Sequence, residues 1–147
     1  MALHFTRDEF AARRRRACAE MARAGLDGLL IFRQESMYYL TGYDTSGYSM
    51  FQGLYLGADG ALALLTRSAD LRQARLTSVI EDIRIWTDRE GAGPAPELRD
   101  MAADYGGRGR GLASDILWRA GRLVDEGSAV STRLTVPGPL SAPSTAR

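Results

Sequence analysis

Apolar residues recur at helical spacing through Phe10, Ala17, Cys18, Met21 and Ala24, and start and stop signals bracket them. Thr6 and Glu9 stand in capping-box spacing, Phe5 and Phe10 flank the cap as a hydrophobic staple, and Gly25 supplies a left-handed stop. A first helix is therefore predicted from Arg7 up to Gly25. Asp27 to Phe32 is mostly a short continuous apolar run behind that helix, the pattern of a strand buried on both faces. Glu35 to Thr41 fits a short helix ending at Gly42, and Asp44 to Ser49 is a loop rich in turn formers. Met50 to Leu56 and Ala61 to Thr66 follow as two apolar strands joined through Ala58-Asp59-Gly60, an antiparallel hairpin.

Ser68 to Thr77 carries Ala69, Leu71, Ala74 and Leu76 behind a Ser-Ala-Asp start that suits a helix cap. Ile80 to Trp86 has the mixed pattern of a strand with Ile83 and Ile85 inward, Gly91 to Pro96 breaks the chain, and Glu97 to Tyr105 is a helix burying Leu98, Met101 and Ala102. The order predicts an α/β fold, a mixed sheet with helices packed on it. After Gly106 the pattern weakens: Leu112 to Leu117 fits one more strand and Arg119 to Glu126 one more short helix. From Gly127 to Arg147, Ser, Thr, Ala, Pro and Gly dominate, and Pro137, Pro139 and Pro143 exclude a helix, so a disordered tail is expected.

A chain of 147 residues with 45% hydrophobic content is about one domain's worth of sequence. Its 19 basic and 18 acidic residues leave a net charge of +1, without the basic excess that nucleic-acid binding favours. Lysine is absent, which removes Schiff-base chemistry and the usual phosphate-binding loop. Cys18 is the one cysteine and is expected in the core, so there is no internal disulfide and no thiol pair for a metal. No run approaches a membrane span and residues 1–10 lack a secretory pattern; a soluble, cytoplasmic protein is expected.

Five of the six tyrosines lie between Tyr38 and Tyr55, where a strand end meets a loop. Rigid rings tipped by hydroxyls suit a pocket rim or an interface, and they equally suit a core. Other chemistry is thin. His4 is the only histidine and lies near a free end, so no Ser-His-Asp or Cys-His arrangement and no histidine metal cluster can form. Ser49 in Gly47-Tyr48-Ser49-Met50-Phe51 lacks the second glycine of a nucleophile elbow, and Gly106 to Gly111 lacks dinucleotide-fingerprint spacing. Arg13 to Arg16 point four ways around a helix, which reads as a solvated face.

The series Ala24-Gly25-Leu26-Asp27-Gly28-Leu29-Leu30-Ile31, then Met37-Tyr38-Tyr39-Leu40-Thr41-Gly42-Tyr43, then the hairpin, resembles the N-terminal domain of the creatinase and prolidase family of pita-bread metallohydrolases. Phe32 to Thr45 and Thr77 to Trp86 are most similar in wording to ectoine hydrolases and Xaa-Pro dipeptidase-like proteins. The match is strongest over residues 5–105, within a domain expected to span 1–126. The resemblance implies a ribonuclease-H-like layout that does no chemistry itself; catalysis belongs to a C-terminal domain in which two aspartates, two glutamates and a histidine hold a pair of divalent metal ions. This chain is accordingly expected to be catalytically silent alone, with no metal or other cofactor of its own. It is expected to pair with a second copy or a full-length relative, and with neither nucleic acid nor membrane.

The resemblance further implies that the loop Tyr43 to Gln52 reaches toward the active site of a neighbouring subunit. Tyr48 is the position implied nearest substrate, with Tyr43 and Gln52 beside it; Met50 falls where creatinase places an arginine, so that carboxylate contact is not carried over. Gly121 to Glu126 still resembles the helix leading into the family's linker, but Gly127-Ser128 interrupts what should follow. A truncated or frame-disrupted product is one expectation; a free-standing interaction module with the same fold is the alternative.

Overall fold

The computed structural model describes residues 3–47, 49–89, 93–105 and 112–114. The chain runs α1 (Arg7–Ala24), β1 (Gly28–Ile31), α2 (Gln34–Thr41), β2 (Gly53–Gly57), β3 (Leu62–Arg67), a 3-10 turn (Ser68–Asp70), α3 (Leu71–Thr77), β4 (Asp82–Trp86), α4 (Pro94–Asp104) and β5 (Leu112–Ser114). The sheet order is β4-β3-β2-β1-β5. Only β2 runs against the rest: it is antiparallel to β1 and β3, whereas β3 with β4 and β1 with β5 are parallel. This is the mixed α/β sheet the pattern predicts. The expected helix over 119–126 and the expected tail over 127–147 lie outside the described residues.

Local signals form the elements as their chemistry dictates. Thr6 Oγ1 accepts from the Glu9 amide at 3.2 Å, the Phe5 and Phe10 rings meet edge to face with centroids 5.9 Å apart, and Gly25 ends α1 at φ 67°. The period-2 alternation of the strands feeds two cores. On one face Ile31, Leu54, Leu56 and Leu64 pack with Met21 of α1, Met37 and Leu40 of α2 and Ala74 of α3. On the other, Leu30, Tyr55, Ala63, Leu65 and Trp86 pack with Leu98 and Met101 of α4. Burying each such aliphatic side chain contributes about 1.5–3 kcal/mol.

Several details depart from the sequence reading: β2 begins at Gly53 rather than Met50, and α4 begins at Pro94, inside the expected break, because proline is tolerated in the first turn of a helix. The arginine run is not simply a solvated face: Arg13 is buried, its guanidinium lies 4.2 Å from the Phe5 ring centroid and 4.6 Å from that of Tyr39, and it pairs with Glu9. Arg13 also donates to the Tyr39 carbonyl at 3.0 Å and Arg14 to the Leu40 carbonyl at 3.1 Å. Both cations thus cap the last turn of α2, where the free carbonyls and the helix dipole favour positive charge. Ile85 is 41% exposed rather than inward, because β4 is the outer strand and only Ile83 on that face reaches the core; Trp86 packs on the opposite face instead. Ala69 and Leu76 are exposed, since the 3-10 turn shifts the register and brings Ala74 and Thr77 inward. Ala24 is exposed in the last turn of α1.

A polar clasp joins α4 to the start of β4. Tyr105 Oη donates to Asp82 Oδ2 at 2.7 Å, Arg84 Nη1 donates to Asp104 at 2.6 Å, and Arg84 Nη2 pairs with Asp82 at 3.1 Å. The Tyr105 ring stacks on Tyr55, centroids 5.2 Å apart, and Tyr55 Oη donates to the Tyr105 carbonyl at 3.2 Å. Burial alone would raise the Asp82 carboxyl, but hydrogen bonds from Arg84 and Tyr105 and the Arg84 charge outweigh it and hold its pKa below the usual value. A folded-state pKa depressed in this way gives stability that is present above the ordinary aspartate range, near pH 4, and is lost as pH falls through the folded value. The gap in urea midpoint between the wild type and Asp82→Asn at pH 7 is expected to narrow as pH falls below the ordinary aspartate range; a gap that does not change with pH would contradict this account of the clasp.

Candidate functional site

The loop that leaves α2 at Gly42 enters β2 at Gly53, which pairs with Leu65 near the end of β3. It therefore lies at the carboxyl ends of β1, β3 and β4, the end of an open α/β sheet where ligands generally bind. Its anchors are numerous. Tyr43 is fully buried under it, with its hydroxyl 3.0 Å from Thr66 Oγ1, and burial pushes that hydroxyl above the ordinary tyrosine pKa, so it stays protonated. The Asp44 amide donates to Thr77 Oγ1 at 3.2 Å, and Gln34 Nε2 donates to the Tyr43 carbonyl at 3.0 Å. Thr45 Oγ1 donates to Asp70 Oδ1 at 3.3 Å and accepts from the Gly47 amide at 2.9 Å. The Gly47 carbonyl accepts from the Met50 amide at 2.9 Å and from Gln52 Nε2 at 3.0 Å. At the far end Trp86 Nε1 donates to the Phe51 carbonyl at 2.9 Å, and the Phe51 ring tilts against Phe32.

Between these ties the tip is open: Ser46, Ser49 and Met50 are exposed. Tyr48 lies outside the described residues. Tyr43 and Gln52 are brought to the same loop, but from below, as buried supports. A Cβ on Gly47 would stand 2.6 Å from Asp70 Oδ2, so a side chain there would push the Asp70 carboxylate aside. Spacing alone did not single out Thr45, Asp70 and Trp86, since their partners are 25 to 35 residues away. Of the other tyrosines, Tyr55 is in the core, and Tyr38 pairs its hydroxyl with His4 Nδ1.

A second, shallow concavity lies between α1 and the β2–β3 turn, lined by Ala11, Arg14, Arg15, Cys18 and Ala58 to Gly60. Cys18 is half-buried and donates to the Gly57 carbonyl at 3.6 Å; burial and then the Asp59 charge push its thiol pKa up, so the thiolate is disfavoured. Among the described residues no three His, Cys, Asp or Glu side chains gather as a metal site, and no helix is long and apolar enough to cross a membrane.

The model of the creatinase/prolidase N-terminal domain matches residues 13–118, well over half of the chain. This chain belongs to that family. The ectoine hydrolase of Halomonas elongata is 36% identical over 77 residues, which are 52% of this chain and 19% of that enzyme. The N-terminal domain of Xaa-Pro dipeptidase from Lactobacillus brevis superposes with a TM-score of 0.68 at 15% identity, covering 83% of this chain and 92% of that one. The prolidase of Thermococcus sibiricus gives 0.66 at 20% identity, over 79% of this chain and 32% of that one. The creatinase/prolidase domain in this chain thus spans about a fifth to a third of the longer enzymes it matches.

Proposed function

We propose that the chain serves as the non-catalytic N-terminal domain, or a truncated fragment, of a creatinase- or Xaa-Pro-peptidase-like hydrolase. Residues 1–126 form the working unit, in the cytoplasm, paired with a second copy or a full-length relative. In this reading the loop Tyr43 to Gln52 makes a subunit contact and lines the partner's active site, with Tyr48 nearest substrate and Tyr43 and Gln52 behind it. A separate domain supplies the two divalent metal ions and the hydrolysis. The observation that carries the reading is the loop itself: it is tied to the core at Tyr43, Thr45, Phe51 and Gln52 while Ser46, Ser49 and Met50 face outward. Rigid support under an exposed tip is what a contact made in another subunit requires.

The first test is direct. Incubated with Mn(II) and an Xaa-Pro dipeptide, the chain is expected to release no proline, and turnover by the chain alone would retire the proposal. Fused in place of the corresponding segment of an Xaa-Pro dipeptidase, it is expected to support activity, and Tyr48→Ala in that fusion is expected to lower kcat/KM at least tenfold.

A further inference from the structure

The arginine run of α1 turns two of its charges into one concavity. Arg14 and Arg15 line it together with Cys18 and Asp59, and the small residues Ala11, Ala58 and Gly60 leave about 280 Å³ of space unfilled. Among the described residues neither guanidinium stands within ion-pairing distance of a carboxylate. Arg14 is half-buried and gives one N–H to the Leu40 carbonyl at 3.1 Å, whereas Arg15 is exposed and has no hydrogen-bond or ion-pair partner. Cations that share a partly desolvated space repel, and a buried charge is normally paired. Burial lowers the Arg14 pKa from its ordinary value, Cys18 opposes that, and the neighbouring Arg15 charge lowers it further. The chain's own groups do not relieve this. Asp59 is held by its turn, where Oδ1 accepts from the Ala61 amide at 2.9 Å, and Cys18 stays a neutral thiol that donates to the Gly57 carbonyl.

We infer that the concavity between α1 and the β2–β3 turn is a binding site for a small carboxylate molecule, held by the Arg14 and Arg15 guanidiniums. Charge selects the class: two guanidiniums and the Asp59 carboxylate leave one net positive charge, which a monoanion cancels and a dianion overshoots. Geometry agrees, because the planar fork of N–H donors on an arginine matches the two oxygens of a carboxylate. The space lies just below the ~300–1,000 Å³ of pockets for drug-sized ligands, so the molecule has few heavy atoms. The turn leaves β2 at the end opposite the loop Tyr43 to Gln52, and the site therefore needs neither that loop nor a second subunit.

The chain is titrated with sodium acetate, against sodium chloride and sodium sulfate at equal ionic strength, while the Arg15, Cys18 and Gly60 backbone amides are followed by NMR. In parallel, the rate of alkylation by iodoacetamide is measured; Cys18 is the only cysteine, so the reaction reports this one place. Acetate is expected to shift the three amides saturably and to slow alkylation at least twofold at saturation, and chloride to do neither. Arg15→Gln is expected to weaken acetate binding at least tenfold. Arg15 has no hydrogen-bond or ion-pair partner among the described residues, so the thermal midpoint of that variant is expected to equal that of the wild type, which shows that it folds. Asp59→Asn keeps an oxygen for the Ala61 amide and removes the opposing charge, and is expected to tighten binding at least threefold. Absence of saturation with acetate, saturation with sulfate alone, or equal affinity in wild type and Arg15→Gln would overturn the inference.

Discussion

Tyr43→Ala is expected to lower the unfolding free energy by about 3–5 kcal/mol, the range for truncating a large aromatic in a core that collapses poorly around the gap. The ring is fully buried among residues of α1, α2, α3 and the sheet. Its loss also leaves Thr66 Oγ1, itself buried, without the tyrosine hydroxyl. Tyr43→Phe separates the two contributions: it keeps the ring and removes one hydrogen bond, for about 1 kcal/mol. Urea unfolding followed by tryptophan fluorescence measures both. The implied role of Tyr43 near substrate then becomes a question of support, since Tyr43→Phe leaves the packing beneath the loop in place. An alanine variant that loses less than about 1.5 kcal/mol would show that the ring does not pack as described.

Gly42→Ala is expected to cost about 2–5 kcal/mol, from two separable sources. The residue sits at φ 78°, where a side chain meets its own backbone at about 1–2 kcal/mol. Its Cβ would also lie 2.9 Å from Phe10 Cζ and 2.9 Å from the Thr77 carbonyl oxygen, and overpacking of that kind costs about 1–3 kcal/mol. The Thr77 oxygen is backbone and cannot swing aside. Gly25 provides the control: it has φ 67° with nothing within 4 Å of a built Cβ, so Gly25→Ala carries the backbone cost alone. Denaturation midpoints of the two variants should therefore differ, and equal losses would mean that Phe10 and Thr77 do not crowd Gly42.

What the sequence made legible was local. Thr6, Phe5 and Phe10 fix the start of α1 and Gly25 its end, each through near neighbours in the chain, and Asp59-Gly60 fixes the hairpin, so chain order suffices to place these elements. Leu98, Met101 and Ala102 were found by helical spacing because one face of α4 meets one face of the sheet. Ile85 and Arg13 were misread because their surroundings come from elsewhere. Whether Ile85 is covered depends on β4 being an outer strand, and whether Arg13 is solvated depends on Tyr39 and on Phe5, which folds back over it. At the loop, tyrosine content marks a segment whose ends the structure ties down. The residues that hold it, Asp70, Thr77 and Trp86, arrive with later elements and carry no spacing signal of their own.

The sheet also sets an order on biosynthesis. β1 lies between β2, which follows within 25 residues, and β5, whose Leu112 pairs with Gly28. Until residues 112–114 clear the ribosome, the parallel side of Gly28–Ile31 is a bare, apolar edge open to strangers. A message cut short before that codon would leave a chain with both hydrophobic faces largely built and one flank unsealed, a natural target for chaperones and proteases.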